Sequence, residues 1–317
     1  MACSLIIRKI NFTAICTRQA ELRSFSPHML RGAFGNTLTW LSRAYSDDRG
    51  MENKAFESIH ENVFKVQSRR KYKPHIGGVN YNPYFFECER FDRRRFAPGD
   101  RLIFSAAFMG DFTNSHIEKI ITAVKLMVTG DLCGNFDCFV LESATEESSG
   151  GAYYGNGGYP AEMPEPWNWS DQYNIPGTVS AISIVFRENA PLVYTSKAPG
   201  EPPHLPFKSF FEKALQRVEA ICTDFSEGEQ SIDEWDGLIA RAENITAEES
   251  SDPETPFTIK QTGRSKAGET TWSISGRIDY SGNLKEFLPY INVCSVLHIG
   301  KGASMDGSGR YDWGIIR

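Results

Sequence analysis

The sequence lacks any apolar run approaching the roughly 20 residues that cross a bilayer. Its opening, Met1 to Ile10, alternates like a strand and is cut short by Arg8 and Lys9, without the basic-then-apolar order and cleavage site of a leader peptide. Neither a membrane span nor a signal peptide is expected, and the chain reads as cytoplasmic. Cysteine is sparse and odd in number: seven residues scattered from Cys3 to Cys294 fit reduced thiols better than a disulfide framework. The one close pair, Cys133 and Cys138, has no second pair or nearby histidine to complete a zinc site and reads as structural. No Asp/Glu or His/Cys set stands at ligand spacing, so neither a metal nor a cofactor is expected. Histidine is also scarce, six in 317 residues, which keeps the set of proton-transfer candidates small.

What is present suits two domains of ordinary size, each with its own core. The net charge of −6 argues at first against a polyanionic partner, but the distribution matters more than the sum. Residues 65–101 carry ten Lys or Arg against four acids, while residues 201–254 carry fourteen acids against four bases. The first region suits a polyanion, and the second reads as solvated helix surface or a docking face.

Periodicity gives a strand over Ser4–Phe12 and then a helix from Pro27 to about Tyr45. Ser26 stands at the N-cap and Pro27 at the first helical position, with Leu30, Phe34, Leu38 and Leu41 on one face. Gly32 and Gly35 inside this helix each cost about 1 kcal/mol relative to Ala, which suggests close approach to a sheet. A short helical piece is expected over Ala55–Phe64, strands at Tyr81–Cys88, Leu102–Met109 and Asp137–Glu142, and a helix at Ser115–Val128. The order β-α-β-β-α-β is the ferredoxin-like pattern. Residues 148–178, dense in Gly, Pro and aromatics, read as a linker or long loop between a domain at 1–147 and another at 179–317. In the second, Val179–Phe186 reads as a strand. Leu205–Cys222 reads as a helix burying Phe207, Phe210, Phe211 and Leu215, and Ser231–Ala242 as a shorter one. Thr246–Pro256 reads as a connection. Phe257–Ile259, Thr270–Ser281, Leu284–Leu288, Val293–Leu297 and Tyr311–Ile316 read as strands. The fold class is α+β, two ferredoxin-like (RRM-like) domains in tandem.

Between the last two of those strands, glycines fall at 300, 302, 307 and 309, with Lys301 and Arg310 among them. Such a loop is either a plain turn or a nest of backbone N–H groups for phosphate oxygens, and the two cations favour phosphate. Gly-x-Lys-Ser/Thr is missing, so it is no nucleotide-binding fingerprint.

Four stretches carry a resemblance: SPHMLRGAFGNTLTWLSRAY (26–45), NPYFFE with RFAPGDRLIFSAAFMG (82–110), NAPLVY with LPFKSFFEKALQRV (189–218), and SGRIDYSGNLKEFLPYINVCSVLHIGKGASMDGSGRYDW near the C-terminus. In this order they span nearly the whole chain, which resembles the CRISPR-associated repeat-RNA-processing endoribonucleases of the RAMP superfamily (Cas six type). The resemblance implies two ferredoxin-like domains, binding of CRISPR repeat RNA, and retention of the product as a guide RNA, with other CRISPR effector-complex proteins as partners. It also implies metal-independent cleavage, in which the 2′-hydroxyl attacks the adjacent phosphate and leaves a 2′,3′-cyclic phosphate. Some relatives only bind RNA, so a non-cleaving RAMP subunit is the alternative.

That chemistry needs proton transfer, which histidine suits, and positive charge for the phosphorane, which Lys or Arg suits. Relatives commonly place the histidine in or just after the first helix. His28, beside Arg31, is the first candidate and His60 the second. His75 follows a basic run, and His116 and His204 have little around them to recommend them. Lys71, Arg93, Arg94 and Arg95 are expected to meet RNA, and the three arginines to be at least partly exposed. His298, Gly300, Lys301, Gly302, Gly307, Gly309 and Arg310 complete the RNA-binding set, although a histidine on a buried strand is more often core. Tyr72, Tyr81, Tyr84 and Phe85 either stack bases or belong to the core.

Overall fold

The computed structural model describes residues 4–44, 50–64, 82–130, 132, 137–170, 177–187, 192–196, 204–226, 232, 234–264, 270–300 and 308–316. The chain divides into two compact units, one formed by Leu5–Arg69 with Asn82–Asn168, the other chiefly by Trp169–Arg317.

The first unit begins with β1 (Ser4–Cys16), where Ile10, Phe12, Ala14 and Cys16 alternate inward at the two-residue period of a half-buried strand. β2 (Ala20–Phe25) follows, and α1 (Pro27–Ala44) starts where expected: the Met29 N–H donates to Ser26 Oγ at 3.3 Å. Leu30, Phe34, Leu38 and Leu41 are all buried, each contributing about 1.5–3 kcal/mol of gross hydrophobic stabilisation. The unit continues through α2 (Gly50–Phe64), β3 (Tyr84–Cys88), β4 (Phe91–Phe96), β5 (Arg101–Met109), α3 (Phe112–Thr129), β6 (Phe139–Glu146) and β7 (Ala152–Tyr154).

Its sheet runs β3–β5–β1–β6–β7 with every neighbouring pair antiparallel. Read as β1-α1-β3-β5-α3-β6, this is the ferredoxin-like order, in which the outer strands flank the central β5–β1 pair. Phe12 and Phe104 stack across that pair at 5.2 Å, and Phe34 of α1 packs on Tyr84, Phe86 and Phe108 at 5.5–5.9 Å. Phe34→Ala would open a cavity costing about 3–5 kcal/mol. Tyr84 and Phe85 are fully buried, so the structure assigns them to the core and not to base stacking.

The basic run reads differently in three dimensions. Arg93–Arg95 lie in β4, which pairs with β2 as a separate two-stranded ribbon. The expected linker at 148–178 also holds structure: β7, hydrogen-bonded to β6, and β8 (Trp167–Ser170).

The second unit contains β9 (Ala181–Phe186), β10 (Leu192–Ser196), α4 (Phe207–Phe225), α5 (Trp235–Ala242), β11 (Thr246–Glu249), β12 (Thr258–Arg264), β13 (Thr270–Ser281), α6 (Leu288–Leu297) and β14 (Tyr311–Ile315). Strand order is β10–β13–β9–β14, with β11 and β12 also on β13. The long β13 meets β9 over Gly276–Ser281 and β10 over Thr270–Ile274. At Gly276, φ is +90° and a Cβ would fall 1.9 Å from the Pro256 carbonyl oxygen, so only glycine fits.

Two expected strands are helical: Leu284–Leu288 is a 3-10 turn entering α6, and Val293–Leu297 is the end of α6. Thr246–Pro256, read as a connection, includes strand β11. Phe207, Phe210, Phe211 and Leu215 of α4 are buried as expected. Arg217, also buried, donates from Nε and Nη2 to the Leu297 carbonyl at 3.2 and 3.1 Å, supplying a cation and donors to the C-terminus of α6.

Candidate functional site

Histidines and arginines expected to carry the chemistry meet on one side of α1. At roughly 100° per residue, His28, Gly32, Gly35 and Thr39 fall in a row along the helix, opposite the buried Leu30–Leu41 stripe. These four, with Arg31, Asn36 and, from α2, His60, line a cleft of about 340 Å³. His28 is exposed and His60 half-buried. The packing of α2 on α1 brings His60 to His28 and Arg31 across 32 residues of sequence.

Hydrogen bonds set the orientation of two of these groups. Thr39 Oγ1 donates to the Gly35 carbonyl at 2.8 Å and lies 3.3 Å from His60 Nε2. With the hydroxyl proton committed to Gly35, the threonine oxygen accepts from Nε2–H, so the neutral tautomer that fits here carries its proton on Nε2. Arg31 Nε donates to the Tyr84 phenol oxygen at 3.2 Å, and its guanidinium carbon is 6.0 Å from the centre of that ring. Burial pushes the Tyr84 phenol up to about 12 in spite of Arg31, so it remains a neutral anchor.

Gly32 has nothing within 4 Å of where a Cβ would sit. The helix therefore does not need this glycine to approach a sheet, which overturns the packing reason expected from sequence. The glycine instead leaves open space in the lining of the cleft.

The arginine run splits into two roles. Glu21 Oε1 accepts from Arg23 Nε at 3.0 Å and pairs with Arg93 Nη2 at 2.8 Å, while Oε2 accepts from Arg95 Nε at 3.2 Å. Arg93, then Arg23, pull the Glu21 carboxyl down to about 2, so it stays ionised and holds three guanidinium groups together on an exposed face. The Arg93 and Arg95 side chains are 58% and 76% exposed, as expected. Arg94 leaves the other side of the strand, lies 5.1 Å from the Phe96 ring centre and 5.9 Å from that of Phe91, and pairs with Glu89 at 3.3 Å. Arg23 was not foreseen; its signal was the Glu21-x-Arg23 alternation.

In the second unit His298 is fully buried at the end of α6, with φ of +57°. Its burial fits the core alternative, with the segment before it a core helix in place of the expected strand. Gly309, with φ of +75°, has no room for a Cβ, which would fall 1.8 Å from the Ile299 carbonyl oxygen. Gly300 has φ of +86°, and Arg310 is half-buried. Lys71, His75, Tyr72, Tyr81, Lys301, Gly302 and Gly307 lie outside the described residues. His116 Nε2 lies 3.3 Å from Ser58 Oγ, and His204 is exposed beside Glu249. Among the described residues no group of three His, Cys, Asp or Glu is placed to hold a metal ion, and no helix is long and apolar enough to cross a membrane.

Residues 186–311 match the family model of the CRISPR-associated endoribonuclease Cas6, and residues 5–157 match a model described as an N-terminal domain. No curated protein matches the sequence. Among solved structures, the Thermus thermophilus Cas6 product complex superposes with a TM-score of 0.55 at 12% identity, covering 96% of this chain and 98% of that one. A chain of a partial Cas6-RT-Cas1–Cas2 complex gives 0.52 at 12% identity over 98% of this chain, which spans 46% of that longer one. Identities this low establish the fold, two antiparallel ferredoxin-like units in tandem. Residues 186–311 thus carry the Cas6 endoribonuclease family match, and the chain as a whole shares the fold of Cas6 structures over nearly its entire length.

Proposed function

We propose that the chain binds CRISPR repeat RNA, cuts it without a metal ion and retains the product as a guide RNA. The observation that carries this reading is that His28, Arg31 and His60 line one cleft. The 2′-hydroxyl oxygen attacks the adjacent phosphorus as a histidine takes its proton. The P–O5′ bond breaks, and a second imidazolium protonates the departing 5′-oxygen. The products are a 2′,3′-cyclic phosphate and a 5′-hydroxyl. His28 is the main proton-transfer residue and His60 its counterpart, since imidazole serves both roles near neutral pH. Arg31, anchored by Tyr84, meets the charge that grows on the phosphorane.

The Arg23–Arg93–Arg95 face contacts the RNA backbone, with three guanidinium groups outweighing one carboxylate. Gly300, Gly309 and Arg310 keep the RNA-positioning role proposed for the glycine loop, with Gly309 holding the loop's end against the Ile299 backbone. Other CRISPR proteins are the expected partners; one chain of similar fold belongs to a partial Cas6-RT-Cas1–Cas2 complex.

The test is incubation of labelled repeat RNA with the protein in EDTA. A product with a cyclic-phosphate end supports the reading. Tight binding with an intact RNA supports the non-cleaving RAMP subunit instead.

A further inference from the structure

α1 presents a second face to solvent, next to the row of His28, Gly32, Gly35 and Thr39. Ala33, Asn36 and Trp40, three and four residues apart, fall together there. With Met127 and Thr129 of α3 and Asp137, they border a cleft of about 570 Å³. Trp40 is 57% exposed, and among the described residues no packing accounts for a ring of that size standing in water. Asn36 borders both this cleft and the one that holds the histidines.

We propose that this second cleft is a nucleobase pocket, which takes one unpaired base of the RNA whose scissile phosphate lies against His28, Arg31 and His60. The proposal rests on the RNA-cleaving reading above. Three features select this occupant. A planar aromatic face is the general stacking platform for unpaired bases. An asparagine amide and an aspartate border the same space, and both residue types hydrogen-bond base edges. A base and its phosphate are joined through one ribose, so a base pocket must adjoin the phosphate cleft, and Asn36 is the residue where the two meet. An apolar protein segment would gain nothing from the amide and carboxylate.

The experiment replaces single bases around the cut by an abasic ribose and measures binding to wild type, Trp40→Ala and Trp40→Phe. At one position the abasic RNA is expected to bind wild type roughly 5- to 150-fold more weakly. Trp40→Ala should weaken the intact RNA by a similar factor and lose its sensitivity to that position, while Trp40→Phe keeps most of both. Because Trp40 is largely exposed, the melting temperature of Trp40→Ala should stay at the wild-type value, which separates lost stacking from lost folding. Penalties that multiply at every position, or intact-RNA binding unchanged by Trp40→Ala, overturn the pocket while leaving RNA binding in place. Failure of wild type to bind any repeat RNA overturns the functional reading itself, and the pocket with it.

Discussion

Arg31 reaches from α1 to the phenol of Tyr84 on β3, donating from Nε at 3.2 Å. The bond ties a group in the cleft to the aromatic core beneath it, so the guanidinium is aimed before RNA arrives. Tyr84→Phe should leave RNA affinity within a few-fold of wild type and slow single-turnover cleavage about 10-fold, the size of a lost positioning contact. Equal loss of affinity and rate would mean that Tyr84 acts through folding alone.

The same phenol sets an alkaline limit. Its value is raised from the ordinary 10.0 to about 12. Between these values the unfolded chain has released its proton and the folded chain has not. Stability from this group is therefore full below about pH 10 and is lost as pH rises toward 12. Urea midpoints should fall from pH 9.5 to about 11, less steeply in Tyr84→Phe. Tyr153, Tyr280 and Tyr311, also raised by burial, retain the rest of the slope. Identical slopes in the two proteins would contradict the assignment.

Gly32→Ala separates folding from function. With open space at the Cβ position, alanine should stabilise α1 by up to about 1 kcal/mol. The same methyl group raises the cleft wall beside Arg31, so cleavage should slow even as the melting temperature rises. A faster or unchanged enzyme would show that RNA does not come close to this turn.

Arg23, Arg93 and Arg95 act together and Arg94 apart. Replacing the three by Gln should reduce the slope of log affinity against log salt by roughly 0.7–0.9 per lost phosphate contact. Arg94→Gln should leave that slope unchanged, because its guanidinium is engaged with Phe91, Phe96 and Glu89. Equal slopes in all variants would remove the ribbon from the RNA path.

Elements with strong periodicity were legible from sequence. The face Leu30–Phe34–Leu38–Leu41 and the full span of β13 appear as read. α6 was misread because Val293–Leu297 is a short apolar run in a helix buried on most sides, where neither period shows. β4 was missed because its exposed arginines hide the alternation of a ribbon strand. His28 and Arg31 came from the resemblance, which puts a histidine at the first helix. Thr39 lies on the helical row of His28, with Asn36 beside it, and the 3.6-residue period placed both within reach. His60 joins them only through packing of α2 on α1, which no local pattern encodes.

The central claim is that the α1–α2 cleft performs the proton transfers. The most direct measurement is the single-turnover cleavage rate of repeat RNA across pH, in EDTA, for wild type, His28→Ala and His60→Ala, with binding measured in parallel. The expected result is a bell-shaped wild-type profile. Each alanine variant should lose about 10²–10⁴ in rate and one limb of the bell, with affinity retained. Wild-type rates and profiles in both variants would place the chemistry elsewhere in the protein.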